Sequence, residues 1–191
     1  DEAVLETNEY DGNGNKVLAT DAEGRKTRFQ YDAANRLAAR EDGYQSVDAA
    51  ITTFVHDKAG NVLEERDARA AALAQPWSAK RSYDELNRVE TETDGESNVT
   101  HYSYDAEGNR TSVQLPKGQT TQFEYDELAK LTRVTQPGAR VTAYVYDPNR
   151  TRTRQTDANG HVVAMEYDEF DRLKQTTQDP GGLDLVAETK Q

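Results

Sequence analysis

Three histidines, 35 acidic side chains and no cysteine bound the chemistry open to this chain of 191 residues. Without cysteine there is no disulfide scaffold, no thiolate metal site and no cysteine nucleophile. His56, His101 and His161 stand 45 and 60 residues apart, without the paired spacing from which a zinc site is built. Asp11-Gly12-Asn13-Gly14-Asn15 has the oxygen-rich composition of a calcium loop. An EF-hand, however, requires Gly where Lys16 stands and a closing Glu where Ala22 stands, and calcium-binding β-roll repeats recur at about nine residues. Turn capping is the favoured role of this run, with weak calcium binding as the alternative.

Carboxylate pairs are the remaining raw material for acid–base work: Glu64 with Glu65, Glu90 with Glu92, and Asp168 with Glu169. Residues two apart on a strand share a face, so Glu90 and Glu92 are expected to be neighbours that raise one another's pKa. Glycosidase-type catalysis also needs a cleft holding an acid and a base at a set separation, and the pattern builds none. No Gly-x-Ser-x-Gly, phosphate loop, His-Glu-x-x-His or dinucleotide fingerprint is present. The expectation is a non-enzymatic chain with no catalytic, cofactor-binding or metal-binding residues.

Charge and hydropathy narrow the class further. With 23 basic against 35 acidic residues the net charge is −12, and the isoelectric point is near 4.7. Such a surface repels phosphate backbones, so a nucleic-acid partner is not expected. No apolar run approaches a membrane span, and the acidic, Asn- and Gly-rich start is not a signal peptide, so membrane insertion is not expected. Leu, Ile, Val and Phe together supply 31 of 191 residues. That is about 16 per cent, below the rough 20 per cent at which a charged chain is expected to be disordered. Ten Tyr and fourteen Val argue the other way, because aromatic and β-branched side chains suit a half-buried pleated surface. Their positions decide between the two.

A Tyr-Asp pair recurs at Tyr10-Asp11, Tyr31-Asp32, Tyr83-Asp84, Tyr104-Asp105, Tyr125-Asp126, Tyr146-Asp147 and Tyr167-Asp168, with His56-Asp57 in the place of an eighth. Five of the seven intervals are 21 residues; the others, 25 and 27, imply insertions near 43–50 and 68–79. Two residues before the anchor stand Phe29, Phe54, Tyr102, Phe123, Tyr144 and Met165, which puts two rings on one strand face. Six residues after it come Leu37, Val62, Val89, Leu131 and Leu173, but also Lys16, Arg110 and Arg152, so that face is imperfectly apolar. A Thr column (Thr20, Thr93, Thr135, Thr156, Thr177) and an Asp column (Asp21, Asp42, Asp67, Asp94, Asp157) follow.

Each unit carries turn chemistry twice, directly after the anchor and half a period on. Asp accepts from amides two residues ahead, Pro presets φ, and Gly tolerates the positive φ that closes a turn, at Gly14, Gly24, Gly60, Gly108, Gly118, Gly138, Gly160 and Gly181. Connections this short join antiparallel neighbours, because a parallel crossover needs a dozen or more residues. The fold expected is therefore all-β: one array over 1–191 of about eight 21-residue hairpin repeats, forming a curved ribbon without a compact core. The 68–79 insertion, rich in alanine before Pro76, is expected to form a short helical turn packed by Trp77, the sole tryptophan.

Tyr104-Asp-Ala-Glu-Gly-Asn-Arg-Thr, with its echoes at Tyr31 and Tyr167, resembles the YD repeat of Rhs proteins, of insecticidal toxin complex B and C components, and of teneurins. The resemblance spans about residues 8 to 182. It implies a structural shell segment of a secreted or cell-surface, bacterial protein whose wall encloses a toxic C-terminal cargo domain, and partners that are the rest of that shell and its cargo. The alternative it implies is an extracellular recognition module for glycans or proteins. Family members that release cargo carry a self-cleaving region after the repeats; no segment here matches it, and Asp179-Pro180-Gly181-Gly182 reads as a turn of its own repeat. The next Tyr-Asp would fall where Glu188 and Thr189 stand, so the chain is expected to be a piece of a larger protein or to lose register there. Free edge strands would favour self-association.

Overall fold

A computed structural model describes residues 6–179. Gly181 and the positions of Glu188 and Thr189 lie outside the described residues. The chain divides into two compact units, the first ending at Thr100 and the second starting at His101. The first holds β1 (Glu6–Tyr10), β2 (Lys16–Asp21), β3 (Lys26–Tyr31), β4 (Leu37–Asp42), β5 (Ala50–His56), β6 (Val62–Arg66), helix α1 (Ala68–Ala72), β7 (Ala79–Tyr83) and β8 (Val89–Asp94). The division falls within β9 (Val99–Tyr104), and the second unit continues with β10 (Arg110–Gln114), β11 (Thr120–Tyr125), β12 (Leu131–Gln136), β13 (Arg140–Tyr146), β14 (Arg152–Thr156), β15 (Val162–Tyr167) and β16 (Leu173–Asp179). Within each unit the strands lie in chain order and every neighbour is antiparallel. This is the all-β hairpin meander that the repeat spacing demands.

The low apolar content has its counterpart in burial. Among the described residues only Ala70, Val162 and Thr52 are buried. The strands form a single layer in which paired faces shield each other sideways, and half-buried Tyr31, Phe29, Tyr102, Phe123 and Tyr146 are typical.

Each anchor hairpin contains a feature that period-two alternation does not anticipate. Tyr31 faces Leu37, yet Gln30 faces Ala39, so Ala38 is an extra residue on β4. The same slip recurs at every anchor, leaving Val17, Leu63, Glu90, Thr111, Thr132, Thr153 and Lys174 as the extra residues of their strands. Such a β-bulge bends the strand and increases local right-handed twist. Two of the bulged threonines compensate for the broken ladder: Thr132 Oγ1 donates to the Glu124 carbonyl at 3.1 Å and Thr153 Oγ1 to the Val145 carbonyl at 3.3 Å.

Both insertions lie in connections, where extra length costs little. Residues 43–49 join β4 to β5, held by the Tyr44 N–H donating to the Lys26 carbonyl at 2.9 Å and by the Arg28 guanidinium 4.5 Å from the Tyr44 ring centre. The other insertion contains α1, which the Asp67 carboxylate caps by accepting from the Ala70 N–H at 2.7 Å. Ala70, 1% exposed, lies in the helix, which packs on β5, where Thr52 is buried. Ser78 closes the excursion, its N–H and hydroxyl both donating to the Glu65 carbonyl. Trp77 is half-buried, with Lys80 Nζ 4.8 Å from its ring centre. The next turn comes so close that a Cβ on Gly95 would stand 2.8 Å from Gln75 Oε1 and 3.2 Å from the Trp77 carbonyl oxygen.

Candidate functional site: the tyrosine and aspartate seam

The turn after each anchor is built by its aspartate. In the first, the Asp11 N–H donates to the Asn15 carbonyl at 2.9 Å, the Gly14 N–H returns to the Asp11 carbonyl at 3.1 Å, and Gly14 takes φ 85°. One Asp11 carboxylate oxygen accepts from the N–H groups of Asn13 and Asn15 at 2.9 and 2.8 Å, the other from Asn15 Nδ2 at 2.9 Å. Every anchor aspartate accepts from the backbone N–H four residues ahead: Asp32 from Arg36, Asp57 from Asn61, Asp84 from Arg88, Asp105 from Asn109, Asp126 from Lys130, Asp147 from Thr151 and Asp168 from Arg172. The half-period turn has the same design at Asp21, Asp94 and Asp157. Where Leu115 replaces the aspartate, the two backbone bonds remain at 2.8 Å without a carboxylate.

These bonds favour the ionised form. The Arg36 guanidinium bonded to Asp32 holds its carboxyl down to about 2. Side-chain amides of Asn15, Asn61 and Asn109 lower Asp11, Asp57 and Asp105, the Arg172 guanidinium lowers Asp168, and the Arg88 N–H lowers Asp84. Neighbouring turns are tied together too. Asn35 Oδ1 accepts from Asn13 and Asn15 at 3.0 and 2.9 Å, Asn87 Oδ1 accepts from Asn61 at 2.8 Å, and the Arg36 guanidinium donates to the Asp57 carbonyl.

The tyrosines join one hairpin to the next. Tyr31, Tyr125, Tyr146 and Tyr167 each donate their hydroxyl to the carbonyl fifteen residues earlier, on Lys16, Arg110, Leu131 and Arg152, at 2.9 to 3.0 Å. Tyr83 makes the equivalent bond to Val62 across the insertion, at 2.9 Å. All five acceptors stand six residues after the preceding anchor. The paired part of the junction between hairpins ends before that column: β2 and β3, for example, pair only from Leu18 to Thr20. The tyrosine ring thus fills the gap where the strands part, and its hydroxyl satisfies a carbonyl the ladder leaves over. Burial pushes the Tyr146 hydroxyl pKa up.

The basic residues in that column are ring covers. Lys16 Nζ lies 5.4 Å from the Phe29 ring centre, the Arg110 guanidinium 5.8 and 5.4 Å from Tyr102 and Phe123, and that of Arg152 5.7 Å from Tyr144. Aliphatic stems and cationic heads therefore do there what leucine or valine does in other units.

The bulge overturns the expected pairing of Glu90 with Glu92. Glu92 bonds Arg81 Nη2 at 2.8 Å, whereas Glu90, the extra residue, reaches Ser82, the strand neighbour of Arg81, at 3.5 Å. The shift removes the period-two relation on which that expectation rested. Glu64 and Glu65 face different cations, Lys80 and Arg81. His161 is half exposed with Nδ1 3.1 Å from Asp157 Oδ2, and His101 is exposed on β9. Among the described residues no group of three or more His, Cys, Asp or Glu side chains gathers as a metal site would require. A hollow of ≈ 790 Å³ borders the 43–50 insertion; of its carboxylates Glu6, Asp21, Glu23, Asp42 and Asp48, the first four already pair with Lys16, Arg25 (twice) and Arg40. No helix among the described residues is long and apolar enough to cross a membrane.

A single hydroxyl-to-carbonyl pattern thus joins hairpins in both units wherever a Tyr anchors the junction, and comparison with known families agrees with it. The teneurin YD-shell family matches residues 65–182 and the RHS repeat family matches residues 10–47. The chain belongs to the YD-shell family. Among curated proteins, the double-stranded DNA deaminase toxin A of Burkholderia cenocepacia (strain H111) is 30% identical over 110 residues, covering 54% of this chain and 8% of that protein. Among solved structures, the TcdB2-TccC3 complex without its hypervariable C-terminal region superposes with a TM-score of 0.55 at 13% identity, over 91% of this YD-shell chain and 11% of the other. The TcdB2-TccC3-Cdc42 structure gives 0.57 at 14%, and the Photorhabdus luminescens Tc holotoxin pore 0.54 at 14%, with the same coverages. These structures share the fold, and this YD-shell chain spans about a tenth of their length.

Proposed function

We propose that this chain is a wall segment of an Rhs or toxin-complex type shell, and that the parent shell encloses a C-terminal cargo domain. The observation that carries the reading is the repeated junction: hairpins joined by Tyr hydroxyls to carbonyls in one register, with almost no buried core, add side by side and so build a wall rather than a globule. The curated relative is a toxin by name, and one of the neighbouring structures is a Tc holotoxin pore by title. The Tyr-Asp pairs and the turn glycines have structural roles in this reading, with no part in catalysis. Partners are the remaining repeats of the parent shell and the enclosed polypeptide, and the setting is secreted or cell-surface.

The test is limited proteolysis of the full-length parent protein. The segment following the repeats is expected to survive protease that digests the same segment expressed alone. Equal digestion of both overturns the shell reading, and a positive glycan array alongside it would favour cell-surface recognition instead.

A further inference from the structure

The cations that cover rings differ in how their charge is answered. In the first unit Lys16 Nζ lies over the Phe29 ring and also reaches the Glu6 carboxylate at 3.9 Å. Glu6 stands four residues before the anchor Tyr10. In the second unit Arg110 covers Tyr102 and Phe123, and Arg152 covers Tyr144. Both arginines are exposed, and neither has a carboxylate within ion-pair distance among the described residues. Four residues before Tyr146, in the hairpin of Arg152, stands the uncharged Thr142. The position that Glu6 fills in the Lys16 hairpin is thus a threonine in that of Arg152.

A guanidinium lying over a ring keeps N–H groups along the edge of its plane, where they can hold a carboxylate through two bonds. The ring also restrains the side chain, so less rotamer freedom is lost when an anion binds. Arg110 opens β10 and Arg152 opens β14, four strands on, with Leu131 opening β12 midway between them. At the spacing of paired strands the two arginines stand about 19 Å apart. An extended peptide covers that span in about six residues, so its middle side chain falls near Leu131. All three residues occupy the column six after an anchor, on the face that carries the rings.

We propose that this column of the second unit is a docking surface for an acidic, extended peptide segment, with one carboxylate on Arg110, one on Arg152 and an apolar side chain between them on Leu131. The proposal is independent of the shell reading, since it concerns one face of this chain and not what the parent protein encloses. Carboxylates, Glu107 and Glu127 among them, border the hollow beside Phe123 and oppose an anion at Arg110, so Arg152 is expected to contribute the larger share. The −12 charge of the chain makes a long polyanion a poorer fit than a short segment with two carboxylates.

The test is a titration of the isotope-labelled full chain with the capped peptide Glu-Ser-Thr-Leu-Thr-Ser-Glu, followed by nuclear magnetic resonance of arginine Nε–H and leucine methyl groups. Saturable shifts at Arg110, Arg152 and Leu131 are expected. Arg152→Leu keeps the ring covered, since Leu37, Leu131 and Leu173 hold the same column elsewhere. It is expected to weaken binding about threefold, and Arg110→Leu together with Arg152→Leu about tenfold. Replacing both glutamates of the peptide by glutamine should cost about the same tenfold, and this comparison on the unaltered chain keeps the test decisive if a variant fails to fold. A peptide with its glutamates three residues apart reaches only one arginine and should bind about threefold more weakly than the first. No saturable shift at the three residues, equal binding of the glutamine or the close-spaced peptide, unchanged affinity of a folded double variant, or tighter binding of heparin fragments than of the peptide would each overturn the proposal.

Discussion

Removing one oxygen atom from Tyr146 tests whether the tyrosines join hairpins or merely cover them. Its hydroxyl donates to the Leu131 carbonyl at 2.9 Å, while its ring lies 5.9 Å from Lys130 Nζ. Tyr146→Phe leaves the ring in place and deprives a half-buried carbonyl of its donor. A net loss of about 0.5–1.5 kcal/mol is expected. For a domain of this size that corresponds to a melting shift of about 1–6 °C. Tyr10→Phe is the internal control, because the Tyr10 hydroxyl has no partner among the described residues and its removal should shift the midpoint by less than about 1 °C at concentrations where the chain is monomeric. Thermal and urea melts followed by far-ultraviolet circular dichroism measure both. Equal midpoints for Tyr146→Phe and Tyr10→Phe would refute the claim that the hydroxyl bond ties one hairpin to the next.

His56→Tyr should restore the missing hydroxyl opposite the Leu37 carbonyl and raise the melting midpoint by a similar amount; a lower midpoint would count against the shared geometry of the junctions. Ala129 holds φ 59° where other repeats have Gly14, Gly60 and Gly108, so Ala129→Gly should stabilise by about 0.5–1 kcal/mol in the same melts. Because the turn aspartates have lowered pKa values, their contribution is complete above about pH 4 and is lost as pH falls toward the folded value, about 2 for Asp32. The midpoint should therefore drop between pH 4 and pH 2, and Asp32→Ala should flatten that dependence. Gly95→Ala should push the 67–78 excursion away from its neighbouring turn, a change read from the emission of Trp77.

Much of this architecture is legible in the chain itself. Tyrosines returning every 21 residues give the hairpin count, and Asp-x-x-Gly runs give the turns. Alanines before Pro76 give the short helix, since Asp67 stands ready as its cap. The bulge is illegible because its column holds Val17, Ala38, Leu63, Glu90, Thr111, Thr132, Thr153 and Lys174, with no shared residue type. Turn chemistry does not signal it either, since the half-period turns make the same backbone bonds while β2 and β3 pair without a slip. That same slip undid the expected pairing of Glu90 with Glu92. Lys16, Arg110 and Arg152 read as flaws in an apolar face because a pattern of hydrophobic and polar letters cannot register a cation above a ring. Asn35 and Asn87, with φ of 58° and 60°, are signals that composition does offer, since asparagine tolerates the left-handed region.

The register between hairpins is open to direct measurement by nuclear magnetic resonance of the labelled chain. Cross-strand contacts are predicted between Ser112 and Gln122, between Arg133 and Ala143, and between Arg154 and Ala164. Contacts displaced by one residue at any of these junctions, or a register that differs from one to the next, would contradict the repeating tyrosine-linked sheet.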